Sequence, residues 1–545
     1  MHETRPSGRV FVTSTVFAKT TEIPGKGDFI MKKRGMNRRK FITAASVGVA
    51  GVYATLHAGV VRAMMGSGGM GGGGMGGGGM GGTTTTIVDP PPGASFFDIP
   101  NATKNSAGAY ELLVKEARLR LNGTAVTLLT YNGMYPGPVI RAARGDMLKV
   151  RMVNMLPKTT ASNILGHVRN ITNIHTHGLH VTPSGMGDNM MMTAAPGTEL
   201  NYEYDLALEE PGHLNFYHPH VHGSVAEQYW GGLAGPLVID DAAGSPLSGY
   251  ETHVMFIKDL TIANGLPEPY TSNSDFMRGK EGNLVMVNGQ VNPVLSIRPG
   301  QVQRWQIVNA CNARFLKLSL DRHSLWLVGT DGGLLDKPYK LSTILLAPGE
   351  RVDVLVKADQ GGGNFKLLSL PYARGGGSLQ QVTLLTLAYG GISAGDTLPT
   401  AVNPAAARLN MNLSLLPRRQ ISLSMMMGRG YINGISYTDM DHAYTISSGL
   451  GTYEVWEIVN QSGMDHPFHQ HVNSCQVLSV TGGDPDYASL YTTIPAWKDV
   501  VIIPKMGSAT ILVPVKDYDG MTMFHCHIVE HEDIGMMGVW DIGMM

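Results

Sequence analysis

The chain has 545 residues, room for three or four domains of ordinary size, and its 42 basic and 43 acidic residues leave a formal net charge of −1. That balance, with no basic run beyond the N-terminus, excludes a polyanionic partner such as nucleic acid. Charged residues make up only 16 % and glycines number 69, which suits many short strands joined by tight turns.

The N-terminus reads as an address. Asn37-Arg38-Arg39-Lys40-Phe41-Ile42 precedes a weakly apolar stretch, Thr43 to Val61, that ends in the small-residue site Val61-Arg62-Ala63. The pattern resembles a twin-arginine signal. The expectation is therefore a signal region over 1–63, with Met31 or Met36 as alternative starts, and a bacterial-type protein exported to the periplasm or beyond. An uncleaved anchor is the alternative. The stretch is barely long enough for one and contains His57, so no permanent membrane anchor is expected. Residues 64–106 form a low-complexity tail and linker, with Met70, Met75 and Met80 at five-residue spacing in near-pure glycine. It reads either as a flexible linker or as a tether whose soft thioethers capture Cu(I).

Internal repetition sets the architecture. Asn132-Gly133, Asn288-Gly289 and Asn433-Gly434 each begin a unit of turn, strand, second Gly turn and a strand ending in Val-Asn, at Asn154, Asn309 and Asn460, about every 150 residues. Alternating runs such as Leu148-Lys149-Val150-Arg151-Met152 predict half-buried strands. The fold class is all-β: three consecutive Greek-key β-sandwich domains over 107–245, 246–400 and 401–545.

Histidine motifs occupy the first and third units. These are His175-Thr176-His177, His218-Pro219-His220, His466-Pro467-Phe468-His469-Gln470-His471, and Phe524-His525-Cys526-His527 followed by His531 and Met536. Successive side chains of a strand face opposite ways, so Cys526 and His466 share one face while His525, His527, His469 and His471 share the other. A thiolate, two imidazoles and a distant thioether suit blue copper, although a Cys/His set also suits zinc. The middle unit has Cys311 and His323 but no ligand spacing, and reads as a spacer. Cys311 and Cys475 are expected to be two buried thiols.

Taken in order, these motifs resemble those of the multicopper oxidases, the family of laccases and bacterial cuprous oxidases, over roughly residues 107–545. The resemblance implies cupredoxin-like domains and four copper ions per chain. It places type 1 copper on His466, Cys526 and His531 with Met536 axial, and type 2 copper on His175 and His469. The type 3 pair falls on His177, His218, His220, His471, His525 and His527. It further implies that a reductant gives up single electrons at the exposed edge of His466 or His531. Cys526 would pass them through His525 and His527 to a trinuclear cluster between domains one and three, where O2 is reduced to water. Asp188 and Glu532 resemble the family's acidic residues on the proton route. His180, His213 and His222 match no motif position and read as structural or solvent-facing, and the triplets Met190–Met192 and Met425–Met427 read as core. The reductant is a phenol, an aromatic amine or a metal ion such as Cu(I), Fe(II) or Mn(II). A copper-binding envelope scaffold without turnover is the alternative function. The oligomeric state is not legible.

Overall fold

Strand Met147–Asn154 shows how the alternating pattern becomes structure: Leu148, Val150, Met152 and Asn154 face inward and the residues between them outward. It lies in a computed structural model that describes residues 86–543, so the signal region and the Met70–Met80 repeat fall outside the described residues. Six large sheets pair into three sandwiches. In the first, Thr124–Tyr131, Tyr110–Leu121, Met147–Asn154 and Glu199–Asp205 make one sheet, and Ile140–Ala142, Gly235–Ile239, His213–His218 and His175–His177 the other. The second domain pairs the two six-stranded sheets, built respectively around Val302–Asn309 and Gln380–Tyr389. The third pairs a sheet around Thr452–Asn460 with one whose order is Tyr444–Gly449, Met537–Gly543, Gly520–Cys526, His466–Gln470 and Val500–Ile503.

The repeated asparagines have repeated work. Asn132, Asn288 and Asn433 have φ of 58°, 53° and 48°, and the glycines after them 76°, 77° and 77°. This is the left-handed pair a tight hairpin requires and Asn-Gly tolerates best. Each Asn side chain also reaches an earlier strand of its own domain. Its amide donates to Glu111, Val254 or Gln420, and its Oδ1 accepts from the N–H of Leu113, Phe256 or Ser422. The strand-end asparagines repeat a second motif. Asn154, Asn309 and Asn460 each donate to two carbonyls and accept from the N–H two residues on. A buried partner lost from such a set costs about 1–3 kcal/mol. Four residues before the last two lie Trp305 and Trp456, both fully buried; truncating such a side chain to Ala costs about 3–5 kcal/mol. Domain one has the smaller Val150 there.

Cys311 and Cys475 are buried free thiols. Each methionine triplet is split: Met191, Met426 and Met427 are 58 %, 57 % and 90 % exposed, while Met190, Met192 and Met425 are half-buried against the core. Met190–Met192 lies in the loop between His175–His177 and Glu199–Asp205, whereas Met425 and Met426 end strand Arg418–Met426 and Met427 follows in its hairpin turn. Among the described residues no helix is long and apolar enough to cross a membrane.

Candidate metal centre

Strands His466–Gln470 and Gly520–Cys526 run antiparallel, with Phe468 opposite Cys526 and His469 opposite His525. The register fixes two chemically different faces. On one, His466 Nδ1 lies 3.3 Å from Cys526 Sγ; His531 Nδ1, from the short helix Val529–Asp533, lies 3.5 Å from that sulfur and 3.2 Å from His466 Nδ1. Met536 is buried beside them, its carbonyl accepting from the Cys526 N–H and its N–H donating to the His531 carbonyl. Burial lowers the His466 imidazole to about 3 and His531 well below the usual range, while it pushes the Cys526 thiol up. Two neutral imidazole nitrogens converging on one sulfur suit a cation between them, which also favours the thiolate.

The other face opens on eight imidazoles. His175, His177, His218 and His220 come from the first domain, where His175 and His218 are cross-strand partners. His469, His471, His525 and His527 come from the third. Their ligand atoms group as His175/His177/His469, His177/His218/His527 and His220/His471/His525, each set within 4.8 Å. All eight rings are buried, and burial with mutual repulsion lowers their affinity for protons, His218 and His525 to about 3. Neutral rings present lone pairs, which is what a metal requires. His525 Nε2 lies 3.1 Å from both His220 Nε2 and His471 Nε2, more nitrogens than one shared proton satisfies. His177 Nδ1, His218 Nε2 and both nitrogens of His527 have no hydrogen-bond partner. The donor set thus fits copper, whose common ligands are imidazole and thiolate.

Acidic groups ring this cluster. Asp188 Oδ2 lies 2.7 Å from His175 Nδ1, while its Oδ1 accepts from Thr176 N and Oγ1 at 2.8 and 3.1 Å. Burial raises this carboxyl to about 7 against the pull of the Thr176 bonds. Gly187 lets the loop turn in here, since a Cβ there would lie 2.2 Å from the Thr182 carbonyl. Glu532 lies 3.3 Å from His525 Nδ1 and 3.6 Å from His220 Nδ1. Neither of its oxygens has hydrogen-bond geometry to a partner, and burial pushes it well above the carboxylate range. A third acid, Asp499, is not singled out by sequence reasoning. It stands alone in Lys498-Asp499-Val500, with no histidine nearby in the chain, yet its Oδ1 is 3.1 Å from His177 Nε2.

Two expectations change and one is narrowed. Neither His466 nor His531 has an exposed edge: both are fully buried, and Ser462 Oγ sits 2.7 Å from the outward Nε2 of His466. Of the structural and solvent-facing readings, the structural one holds for His213, buried beside Glu209, and for His180, which bonds the Val472 carbonyl and Asp517; neither belongs to the metal groups. The middle domain supplies no histidine, but its Arg351 pairs with Asp499 and so reaches the cluster.

Three consecutive segments, residues 113–244, 246–391 and 408–543, match family models described as multicopper oxidase. The multicopper oxidase mco of Staphylococcus haemolyticus is 31 % identical over 422 residues, 75 % of this chain and 83 % of that one. The laccase of Bacillus subtilis is 27 % identical over 492 residues, 79 % of this chain and 94 % of its own. Among solved structures, a metallo-oxidase from Campylobacter jejuni superposes with a TM-score of 0.71 at 28 % identity, covering 84 % of this chain and 98 % of that one. With three sandwiches in line, a buried Cys/His site and a histidine cluster shared by the outer two, the chain belongs to the multicopper oxidase family.

Proposed function

We propose that His466, Cys526, His531 and Met536 would hold type 1 copper, that His175 and His469 would hold type 2 copper, and that His177, His218, His220, His471, His525 and His527 would hold a type 3 pair. The observation that carries this reading is the strand ending in His525-Cys526, whose two faces place the sulfur in one site and an imidazole in the other. Four bound copper ions would supply one-electron oxidation of a reductant at the first site and four-electron reduction of O2 to water at the second.

The protein's own residues do the rest. Cys526 and its neighbours His525 and His527 give the shortest covalent path between the sites. Asp188 and Glu532, held protonatable by burial, carry protons at carboxyl oxygens facing His175 Nδ1 and His525 Nδ1. Aromatic and aliphatic packing around Phe468, Phe524 and Trp456 keeps water from the thiolate side.

The reductants are phenols and Cu(I). Support for Cu(I) comes from the hairpin tip Met426–Met427, whose thioethers are exposed and suited to a soft ion. The hairpin's second strand, Arg429–Ile432, starts two residues after Met427, and a Cβ on its Gly430 would lie 2.7 Å from Met536 Cβ and 3.2 Å from the His531 carbonyl. Export through the Arg38-Arg39 signal gives the oxidase a periplasmic or extracellular address, and cell fractionation with an Arg38→Lys/Arg39→Lys variant tests it. Oxygen uptake by the copper-loaded protein, comparing stabilised Cu(I) with dimethoxyphenol, tests the reductant. Uptake with both is expected. No uptake with Cu(I) removes the metal-ion reading, and a loaded protein without blue absorption removes the copper assignment.

A further inference from the structure

The middle domain carries no ligand, yet its turn Pro348-Gly349-Glu350-Arg351 enters the seam between the outer two. Arg351 begins strand Arg351–Lys357 and is 1 % exposed. Its Nη1 and Nη2 each donate at 2.6 Å to a different carboxylate oxygen of Asp499, in the third domain. Nε donates to the Leu214 carbonyl at 3.1 Å and Nη2 to Asn215 Oδ1 at 3.2 Å, in the first. The carbonyls of Gly349 and Asp331 take further bonds at 3.1 and 2.9 Å. Every guanidinium nitrogen is engaged, so the planar fork has one orientation, and a lysine cannot reproduce it.

Asp499 passes that orientation on. Its Oδ1 lies 3.1 Å from His177 Nε2, and its backbone carbonyl 2.8 Å from His469 Nδ1. With Asp499 ionised beside Arg351, carboxylate and carbonyl oxygens only accept, so both ring nitrogens are N–H donors. The lone pairs are then on His177 Nδ1, which has no partner, and on His469 Nε2, which lies 3.5 Å from His175 Nε2. The two rings are stacked, 3.8 Å apart and 8° from parallel.

Two glycines show how closely the middle domain is fitted. A Cβ on Gly178, directly after His177, would lie 2.3 Å from Arg351 Nη2 and 2.1 Å from Asn215 Oδ1. A Cβ on Gly349 would lie 3.1 Å from His177 Cε1 and 3.0 Å from His527 Cγ. The backbone of the ligand-free domain therefore rests on rings from both of the others.

We propose that Arg351 is a positioning residue for the histidine cluster: through Asp499 it holds His177 and His469 in the tautomers that turn Nδ1 and Nε2, respectively, toward the metals. The inference rests on the copper assignment above. An outer hydrogen bond fixes which nitrogen of a ligand histidine is available, and losing such a partner commonly costs 10–100-fold in metal affinity or activity.

The test uses the full copper-loaded chain with Arg351→Met, which keeps length without donors, and Arg351→Lys as the conservative variant. Arg351→Met should release type 2 copper to a chelator at about 10–100-fold lower chelator concentration and shift the type 2 hyperfine splitting. The blue absorption from the Cys526 site should remain, and Arg351→Lys should fall between Met and wild type. A folded Arg351→Met protein with wild-type chelator resistance and hyperfine splitting overturns the proposal. If that variant does not fold, a crystal structure of the copper-loaded wild type decides: metal on His177 Nδ1 and His469 Nε2 is the expected result, and metal on His177 Nε2 overturns it. Failure of the copper assignment is distinguishable, because the wild type would then lack the blue band altogether.

Discussion

The two metal-ligating regions are built on opposite plans. The sulfur site takes His466, Cys526 and His531 from one domain, on two paired strands and the short helix after them. The histidine cluster takes half its rings from each of two domains, and the middle domain reaches it through Arg351 and Gly349. The first needs only the fold of the C-terminal sandwich. The second exists only where three sandwiches meet, so it should respond to changes at the seam that leave the first untouched.

The largest effect breaks the comparison at the residue both regions share. Cys526→Ser removes the thiolate but leaves His525 and His527 on the other face of their strand. Blue absorption and oxygen uptake should disappear together, while the histidine cluster still takes up copper by metal analysis. Turnover retained without the sulfur would show that electrons reach the cluster by another route.

Next in size is a cut at the seam. Asp533 of the third domain accepts from the N–H groups of Gly223, Val225 and Ala226 at 2.6, 3.3 and 2.7 Å, capping the first domain's helix Val225–Gly231, whose Ser224 makes no side-chain cap. Asp533→Ala leaves these buried donors unpaired, at about 1–3 kcal/mol for a lost buried partner. A lower midpoint in denaturant and weaker cluster copper should follow, with the blue band little changed. An equal loss at both sites would mean that the helix carrying His531 has moved, and that the two regions are not separable.

Copper removal gives a smaller, distributed effect. A ligand that binds only the folded state stabilises it by about 2.7 kcal/mol at a free concentration 100 times its dissociation constant. Because the cluster joins domains, stripping the metal should raise amide exchange first in strands His175–His177 and His213–His218, which face the seam, and less within Thr452–Asn460. Uniform loss of protection would place the metal's contribution inside single domains instead.

The same contrast governs what could be read from the sequence. The sulfur site was legible because each of its ligands sits in a short motif where strand parity decides the faces: His466 and Cys526 are predicted on one side and found there. The sandwiches were legible from Asn132-Gly133, Asn288-Gly289 and Asn433-Gly434, since a left-handed turn is a local demand. Asp499 and Arg351 were not, because each is an ordinary strand-end residue whose role arises from a partner 148 positions away. The middle unit read as a spacer for the same reason: ligand spacing counts donors to metal, not donors to the donors. Nor does any pattern along the chain announce that Ser462 covers His466, which requires knowing how the Asn460 turn folds back.

That cover yields the smallest prediction, and it sharpens the comparison from the sulfur side. With His466 Nδ1 directed at Cys526 Sγ, Nε2 is the outward N–H and Ser462 Oγ accepts from it at 2.7 Å. An accepted hydrogen bond makes an imidazole a stronger donor to its metal and so favours oxidised copper. Ser462→Ala removes the acceptor from a fully buried ring, and a bond of this kind is worth about 0.5–1.5 kcal/mol net. Only the part that differs between the two oxidation states appears in the potential, so the type 1 potential should rise by a few tens of millivolts, ~59 mV being a tenfold change in a one-electron equilibrium. Type 2 signals should stay fixed, because Ser462 makes its bonds to His466 and Met464 and none to the cluster histidines. An unchanged type 1 potential would mean that His466 turns on loading, with Nε2 rather than Nδ1 toward the sulfur.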